Sequence, residues 1–507
     1  MPSPAASPEL NIASANGGIT LSWPTSASNF VLQATSQVTP SAAWTGLSYS
    51  SEVVGAETVV ILPATNSQQF FRLQGPYLCY LPVFEFAIFY NNLLEFTWTA
   101  PLTINGRTHA NADIYVGSTL ALTFNSTVTA TGIITKTNWD GHTTAEYTGA
   151  LNYNGNPGYI TNMPALTLPI GADNSPAAMH GIIEMPPTYE DPNSLMGQQR
   201  YFNKAGIVLL VSNSTVSVIL KASPADPSPI FIQANYFPTN YAFSNYVQIF
   251  TNFPFLSVTN RFTDQRELSK TIKTTQINVG AYKNWLVTNP FVAFKFPAGS
   301  DVLPNILYVA DNRTNLSTEL VAVRLTNGIV IPTNKAPSGA ATGFTVATPN
   351  PLYILGNYNC PDAASLGTTN TSKTFPASLI SDALTILSPT WSDGASSGAY
   401  SSRNASSTTI NAAILSGNVC STGPGSTEYS GGLMNLPRLL ENWSGDTLTL
   451  NTSIVNLFNS VRATNQFQNP GVYYSAPTRQ ISFDRNFQDR LRQPPGTPLF
   501  TVVVPAN

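Results

Sequence analysis

Short runs that mix apolar and polar residues fill the first 76 positions of the chain. The runs ITLSWP, FVLQAT, TVVILP and QQFFRLQ follow one another between Leu10 and Pro76, and turn-rich spacers separate them. Short strands at a spacing of roughly 10 residues are typical of a small β-sandwich. Trp23 lies where the buried tryptophan of such a sandwich is expected. We therefore predict that residues 1–76 form an N-terminal β-sandwich.

The longest apolar stretch follows directly and reads YLCYLPVFEFAIFYNNLLEF, from Tyr77 to Phe96. It has the length of a membrane span, but it includes a proline and four polar residues: Pro82, Glu85, Asn91, Asn92 and Glu95. Burying those polar groups in hydrocarbon costs several kcal/mol. The stretch is therefore predicted to form core strands, and no membrane span is expected.

Four later segments share one pattern, in which a threonine, an apolar residue and an asparagine precede further β-forming residues. They are TINGRTH, TFNSTVT, TINAAIL and TLNTSIV. Asn105 and Asn125 lie 20 positions apart, and Asn411 and Asn451 lie 40 apart, which is twice that interval. A period of about 20 residues fits one coil of a parallel β-helix. Asparagine tolerates the backbone of a sharp turn, and stacked asparagines hydrogen-bond between coils.

We therefore predict a mainly β protein with a right-handed parallel β-helix body. The alternative is that threonine and asparagine are so common in this chain that the pattern recurs by chance.

The region between these segments has a different pattern. SPAAMHGIIEM begins a short helix, with Ser175 as N-cap and Pro176 in its first turn. GIVLLVSNSTVSVILK is typical of a hairpin that turns at Ser212–Ser214, and TIKTTQINVGAYKNWLVTN of a strand followed by a helix. These segments predict an α/β insertion. The predicted parts are the sandwich at 1–76, the first part of the β-helix at 77–160, the insertion at 161–300, and the second part at 301–507 with an extended tail from Tyr473.

Composition narrows the classes of partner. Only 10% of the residues are charged, against roughly 25% in an average soluble domain. The formal net charge is −3 and no basic run is present, so the chain lacks the cationic surface that nucleic acid or anionic lipid requires. We expect no nucleic-acid partner.

The chain has three cysteines, Cys79, Cys360 and Cys420, so at least one thiol is unpaired within the chain. A disulfide between Cys360 and Cys420 is possible, but the sequence does not require it. Their spacing does not match a zinc site. We expect neither a metal nor a cofactor. The first residues, MPSPAASPEL, contain neither the basic nor the apolar region of a signal peptide. For the extracellular or cell-surface location that we expect, this indicates a mature or trimmed form.

The run FEFAIFYNNLLEFTWTAPLTINGRTHANADIYVGSTLALTFNSTVTATG resembles the secreted part of PilX-like proteins, which are surface proteins of environmental bacteria grouped with type IV pilus assembly. Segments such as PNILYVADN and GGLMNLPRLLENW extend the resemblance over residues 84–500. It implies a secreted or cell-surface β-helix protein associated with a pilus, and it implies no catalytic residues. Pilin-like members begin with an apolar helix, whereas the start of this chain resembles a fibronectin- or immunoglobulin-like module.

Few residues are candidates for catalysis. A Ser/His/Asp triad would have to use one of three histidines: His109, His142 and His180. GASSG matches the nucleophile-elbow motif around Ser396, but that motif needs a strand before it and a helix after it, whereas a serine-rich loop surrounds it here. The motif therefore gives little support to a hydrolase.

The densest polar cluster is RTHANAD. In a strand, Arg107, His109, Asn111 and Asp113 point to one face. Such a column suits the binding or cleavage of a sugar acid, with His109 and Asp113 as catalytic candidates and Arg107 as a ligand-binding candidate. The simpler interpretation is a solvated or hydrogen-bonded outer face.

Paired carboxylates are the other source of chemistry, because glycoside hydrolysis uses two acids roughly 5 to 9 Å apart. The loop EMPPTYED supplies Glu184, Glu190 and Asp191, and other candidates are Asp382, Asp393, and Asp140 beside His142. Three aromatic residues are candidates for sugar stacking, with core packing as the alternative: Trp139, Tyr473 and Tyr474.

Two functions remain. The first is a non-enzymatic secreted or cell-surface scaffold, used for adhesion or associated with a pilus, whose partners are polysaccharide or cell-surface components. The second is a secreted polysaccharide- or ester-active hydrolase that uses the groove of the β-helix. The sequence sets neither a substrate nor an oligomeric state.

Overall fold

A computed structural model describes most of the chain. The described residues are 8–15, 17–27, 30–39, 43–64, 68–75, 77–97, 99, 101–118, 120–137, 148–235, 253–300, 303–333, 342–421, 430, 432–467 and 473–504. The protein is mainly β and contains many parallel strands. It divides into two compact units, Met1–Leu81 with Thr501–Asn507, and Pro82–Phe500. Among the described helices, none is long and apolar enough to cross a membrane.

The first unit contains two antiparallel sheets around one small core. Its strands are β1 (Asn11–Ala15), β2 (Gly18–Pro24), β3 (Val31–Thr35), β4 (Thr45–Gly46), β5 (Ser51–Val54), β6 (Glu57–Pro63), β7 (Phe70–Gln74) and β8 (Tyr77–Pro82). One sheet has the order β1-β2-β6-β5 and the other β4-β3-β7. Trp23 of β2 is 2% exposed and packs with Leu32 of β3, so side chains of both sheets share the core.

The second unit begins with strands that join three sheets in turn. They are β9 (Phe86–Tyr90), β10 (Leu94–Thr97), β11 (Leu102–Ile104), β12 (Arg107–Ala110), β13 (Ile114–Gly117), β14 (Leu122–Phe124), β15 (Val128–Ala130), β16 (Ile134–Thr135), β17 (Leu151–Tyr153) and β18 (Tyr159–Ile160). Each of the strands β9 to β15 pairs in parallel with the strand three places later in the chain. Leu94 pairs with Ile114 and Leu102 with Leu122, so partners lie 20 positions apart.

Helices and antiparallel strands follow. They are α1 (Pro176–His180), α2 (Leu195–Gln199), α3 (Tyr201–Lys204), β19 (Ile207–Val211), β20 (Thr215–Leu220), β21 (Ile230–Asn235), β22 (Leu256–Ser257), β23 (Arg261–Asp264), β24 (Lys270–Asn278), α4 (Val279–Thr288) and α5 (Pro290–Lys295). The predicted N-cap at Ser175, the hairpin at Ser212–Ser214 and the strand–helix pair after Lys270 are confirmed. β19 and β24 also pair in parallel with strands of the next region.

The remaining strands extend two long sheets and build a third. They are β25 (Ile306–Asp311), β26 (Glu319–Thr326), β27 (Phe344–Ala347), β28 (Leu352–Leu355), β29 (Ala377–Ser381), β30 (Leu384–Leu387), β31 (Thr408–Asn411), β32 (Ala413–Ser416), β33 (Arg438–Leu439), β34 (Thr447–Thr452), β35 (Ile454–Asn456), β36 (Thr478–Phe483) and β37 (Leu499–Val504). The long sheets have the orders β18-β15-β12-β9-β35-β32-β29-β27-β25-β19-β20-β21 and β22-β24-β26-β28-β30-β33. The third sheet is β31-β34-β36, and β37 pairs with β8.

β9, the first strand of the second unit, lies inside the twelve-stranded sheet and not at its edge. β9 pairs with β12 on one side and with β35 on the other, through Ile88↔Ile454 and Phe89↔Val455. Ser453 Oγ donates to the carbonyl oxygen of Phe86 at 2.6 Å, across 367 sequence positions. The early strands therefore continue the sheet from β35, the latest strand in the chain that this sheet contains.

Side chains of the facing sheets fill one apolar core. Val309 of β25, Val323 of β26 and Ile410 of β31 are all fully buried in it. α4 joins the same core with Tyr282 and Trp285, whose rings lie 6.0 Å apart. Full burial of one aliphatic side chain of this size contributes about 1.5–3 kcal/mol, so this core is the main source of stability for the second unit.

Asparagines stack where paired strands end. Asn125 Nδ2 donates to Asn105 Oδ1 at 2.8 Å, and Asn154 Nδ2 donates to Asn125 Oδ1 at 2.8 Å. In the later region, Asn451 Nδ2 donates to Asn411 Oδ1 at 2.7 Å. These bonds confirm the predicted stacking of Asn105 on Asn125 and of Asn411 on Asn451.

The two asparagine stacks differ in burial, which gives a stability test. Asn411 is 2% exposed and donates to the carbonyl oxygen of Asn359 at 2.9 Å, whereas Asn125 is exposed. We expect Asn411→Ala to lower the free energy of unfolding by about 1–3 kcal/mol, because buried polar groups lose partners that water cannot replace. Asn125→Ala should cost less than about 1 kcal/mol, because water reaches that site. Urea denaturation followed by fluorescence measures both, and equal losses would contradict the expectation.

Candidate functional site

Four charged side chains from three distant parts of the chain meet beside α1. His180 is the last residue of α1, and Glu184 follows one turn later. Asp382 lies in the turn between β29 and β30, and Arg462 lies in the loop after β35. Among the described residues, this is where a histidine meets two carboxylates, so we treat it as the candidate site.

The imidazole of His180 lies between the two carboxylates. Its Nε2 is 3.1 Å from Asp382 Oδ1, and its Nδ1 is 3.2 Å from Glu184 Oε1. Arg462 binds the same glutamate through two parallel hydrogen bonds, with Nη1 at 2.6 Å from Oε1 and Nη2 at 2.9 Å from Oε2. The four groups therefore form one chain of alternating charge.

Asp382 is the most deeply buried member of this chain, with a fully buried side chain. Its carboxylate accepts backbone N–H groups from the loop after β35: Val461 at 2.7 Å, Arg462 at 3.2 Å and Ala463 at 3.0 Å. Its own carbonyl oxygen accepts Ser460 Oγ at 2.7 Å. A buried carboxylate is stable only when hydrogen bonds replace its hydration, and this loop supplies them.

The surroundings shift the pKa values of His180 and Glu184 in favour of their charged forms. Burial lowers the pKa of His180, but the hydrogen bonds to Asp382 and Glu184 outweigh it and raise that pKa above its ordinary value. Burial also acts to raise the pKa of Glu184, yet His180 and Arg462 hold it at about 2. The contacts with Asp382 and Glu184 thus favour the imidazolium form of His180.

This arrangement holds elements together and does not suit proton transfer to a substrate. A general base needs a free nitrogen within hydrogen-bond reach of the proton that it takes. Both ring nitrogens of His180 already contact carboxylates. The cluster therefore ties α1 to the β29–β30 turn and to the loop after β35.

The polar residues of RTHANAD do not converge on one site. His109 is 2% exposed, its Nδ1 lies 2.7 Å from Thr129 Oγ1, and its Nε2 lies 3.0 Å from Asn111 Oδ1. Burial lowers the pKa of His109, and the hydrogen bond to Asn111 opposes this shift. Asp113 instead accepts the N–H of Ile133 at 2.9 Å, and Arg107 is exposed.

The other candidate acids have separate partners. Arg200 binds Glu190 through two hydrogen bonds of 2.5 and 2.8 Å, while Asp191 accepts the N–H of Asn193 at 2.9 Å. Arg324 binds Asp393 at 2.6 and 2.8 Å. These contacts stabilise loops and do not bring Glu190, Asp191 and Asp393 together.

Ser396 of GASSG is 2% exposed, accepts the N–H of Thr263 and donates to the carbonyl oxygen of Asp393. Its hydroxyl is therefore used within the loop and is not presented to a substrate.

The candidate aromatic residues are placed as follows. Tyr473 and Tyr474 are 4% and 5% exposed and pack against Phe467, as core residues do. Trp139, Asp140 and His142 lie outside the described residues.

All three cysteines are free thiols, so Cys360 and Cys420 are not bridged.

The two buried histidines predict opposite pH dependences. The pKa of His180 is raised in the fold, so its contribution to stability is complete below its ordinary value of 6.5 and is lost as pH rises through the folded-state pKa. The pKa of His109 is lowered, so acidification below 6.5 destabilises the fold through His109.

We therefore expect His180→Gln to be most destabilising at pH 5, by about 1–3 kcal/mol, and less so at pH 8. His109→Gln is the matched control, and its cost should be smaller at pH 5 than at pH 8. Urea denaturation of both variants and the parent protein at the two pH values measures these differences. The same trend in both variants would contradict the assigned charge states.

Comparison with known proteins leaves the chain without an assigned relative. No family model, no curated protein and no solved structure matches it.

Proposed function

We propose that this protein is a secreted or cell-surface scaffold whose body is a right-handed parallel β-helix. The observation that carries the proposal is the succession of strands β9 to β18, which return to the same three sheets, up to β16 at an interval of about 20 residues, with asparagines stacked where strands end. A stack of this kind buries one continuous core and leaves loops and one face of each sheet for contacts.

The use of the candidate acids supports a non-enzymatic role. Asp382, Glu190 and Asp393 all bind internal cations or backbone N–H groups that hold loops to the stack. A glycosidase acid must instead face the scissile bond with an adjustable protonation state. A structural use of these acids is therefore the better fit.

One row of exposed and half-buried polar side chains suggests what the scaffold contacts. Thr103, Thr123 and Asn152 are aligned across β11, β14 and β17, and Asn152 Nδ2 donates to Thr123 Oγ1 at 3.2 Å. Paired strands lie about 4.8 Å apart, so the row presents regularly spaced neutral hydroxyl and amide groups. Such a surface suits a polysaccharide or another hydroxyl-rich cell-surface component, in adhesion or beside a pilus.

Hydrogen exchange tests the proposed coil architecture. Strand β9 pairs with β12 and β35, so we expect the amides of Phe86–Tyr90 to exchange as slowly as those of β12. The exposed hairpin residues Asn213 and Ser214 serve as a fast-exchanging reference. Exchange of β9 at the rate of that hairpin would rule out the stacked arrangement.

A panel of insoluble polysaccharides and of soluble glycan and ester substrates tests the function. We expect retention on at least one polysaccharide without turnover, and retention should fall at least about threefold in the double variant Thr123→Ala/Asn152→Ala, because each lost hydrogen bond contributes about 1 kcal/mol. Ser214→Ala, on the exposed hairpin, is the control.

Turnover that disappears in Asp382→Ala or Asp113→Ala would overturn the scaffold proposal in favour of the hydrolase. Failure to bind any polysaccharide would remove the proposed partner.

A further inference from the structure

A buried arginine beside β23 has hydrogen-bond donors that the described protein does not use. Arg266 is 1% exposed, and its Nη1 donates to Asn435 Oδ1 at 2.6 Å. Its Nε and Nη2 have no hydrogen-bond partner among the described residues. A buried charged donor without a hydrogen-bond partner costs more free energy than a buried neutral one. An acceptor bound at this edge of the guanidinium would therefore stabilise the fold.

The nearest carboxylates are already engaged. Asp264 accepts the N–H of Arg266 at 2.8 Å through Oδ1 and the hydroxyl of Tyr353 at 2.6 Å through Oδ2. Glu267 accepts Arg438 Nη1 at 2.6 Å. The protein thus pairs Arg438 and leaves the side edge of Arg266 open.

A second unused polar group lies on the same hydrogen-bond path. The side chain of Asn435 accepts from Arg266 and donates through Nδ2 to the carbonyl oxygen of Ser430. The hydroxyl of Ser430, a fully buried residue, also has no partner among the described residues. Asn435 therefore links Nη1 of Arg266 to the backbone of Ser430, whose own hydroxyl is unpaired among the described residues.

The surroundings favour a small anion. The Nε–H and Nη2–H of a guanidinium form a parallel fork that matches the two oxygens of a carboxylate. The ring of Phe467 lies 5.8 Å from the guanidinium carbon and packs with Tyr474, which limits the size of a ligand there. Burial and the nearby Arg438 lower the pKa of Arg266 to about 9, against the opposing effect of Glu267 and Asp264, and this still leaves it cationic at neutral pH.

We propose that Arg266 anchors a binding site for a small carboxylate anion, which the guanidinium holds through Nε and Nη2. The site is independent of the proposed scaffold function. A bound anion stabilises the folded protein, because it binds the native state and not the unfolded chain.

Thermal unfolding of the full chain in sodium formate tests the site, with sodium chloride at equal ionic strength as the reference. We expect formate to raise the Tm by at least about 2 °C in a saturable way. A general salt effect instead grows steadily with concentration. Acetate, sulfate and glucuronate, measured in the same way, distinguish a small carboxylate from a tetrahedral oxyanion and from a sugar acid.

Arg266→Met should abolish the saturable rise, and Arg266→Lys should weaken it, because lysine lacks the two-donor edge. Arg324→Met is the control, since Arg324 spends its donors on Gln276 and Asp393, and it should keep the response to formate. A parent protein with no saturable response to formate would overturn the proposal, whatever the variants do. An equal response in folded Arg266→Met would overturn it as well.

Discussion

The pairing of β9 with β35 is the contact on which the rest of the second unit depends. β9 is the first strand of that unit, yet in the twelve-stranded sheet it lies between β12 and β35, the latest strand in the chain that this sheet contains. Without this pairing, β9 and β35 would each expose an edge of unpaired N–H and C=O groups and the apolar core beside it. Ile88 and Phe89 pair with Ile454 and Val455 across the junction, and all four side chains are buried.

Neutral side chains make most of the polar contacts between the strands of the second unit. Charged side chains occur where separate segments are held together. The asparagine stacks satisfy turns within the sheets through amide–amide hydrogen bonds. The charged cluster of His180, Glu184, Asp382 and Arg462 joins α1 to the β29–β30 turn and to the loop after β35. Buried charges repay their desolvation only with several good partners, and this explains why a chain with 10% charged residues places them in such clusters.

Local features could be predicted from the sequence because their causes are local. The N-cap at Ser175, the β19–β20 hairpin and the β24–α4 succession follow from capping, turn and periodicity rules that act within a few residues. The asparagine stacks could also be predicted from the sequence, because a 20-residue interval places side chains of neighbouring strands side by side.

The candidate site could not be predicted from such local rules. His180 and Asp382 lie 202 positions apart, and they meet only because the sheet order differs from the order of the chain. Spacing suggested pairs within single loops, such as Glu184 with Glu190, whereas each of these acids instead binds an arginine. The charge pattern alone could not show this, since a carboxylate in a loop sequence looks the same whether solvated or paired.

The same topology constrains how the unit folds. Strands β9 to β18 pair mainly with neighbours about 20 residues away, so they have low contact order, whereas the β9–β35 junction closes a loop of more than 360 residues. Closure of so long a loop is slow in comparison with local pairing, although its entropy cost rises only with the logarithm of loop length. We therefore expect the early strands to pair with one another before β35 docks onto β9. Asp382 binds the loop directly after β35, so the buried charge cluster is completed in the same step as the junction. By this order, the buried ion pairs hold the loop after β35 in place and do not start the assembly of the early strands.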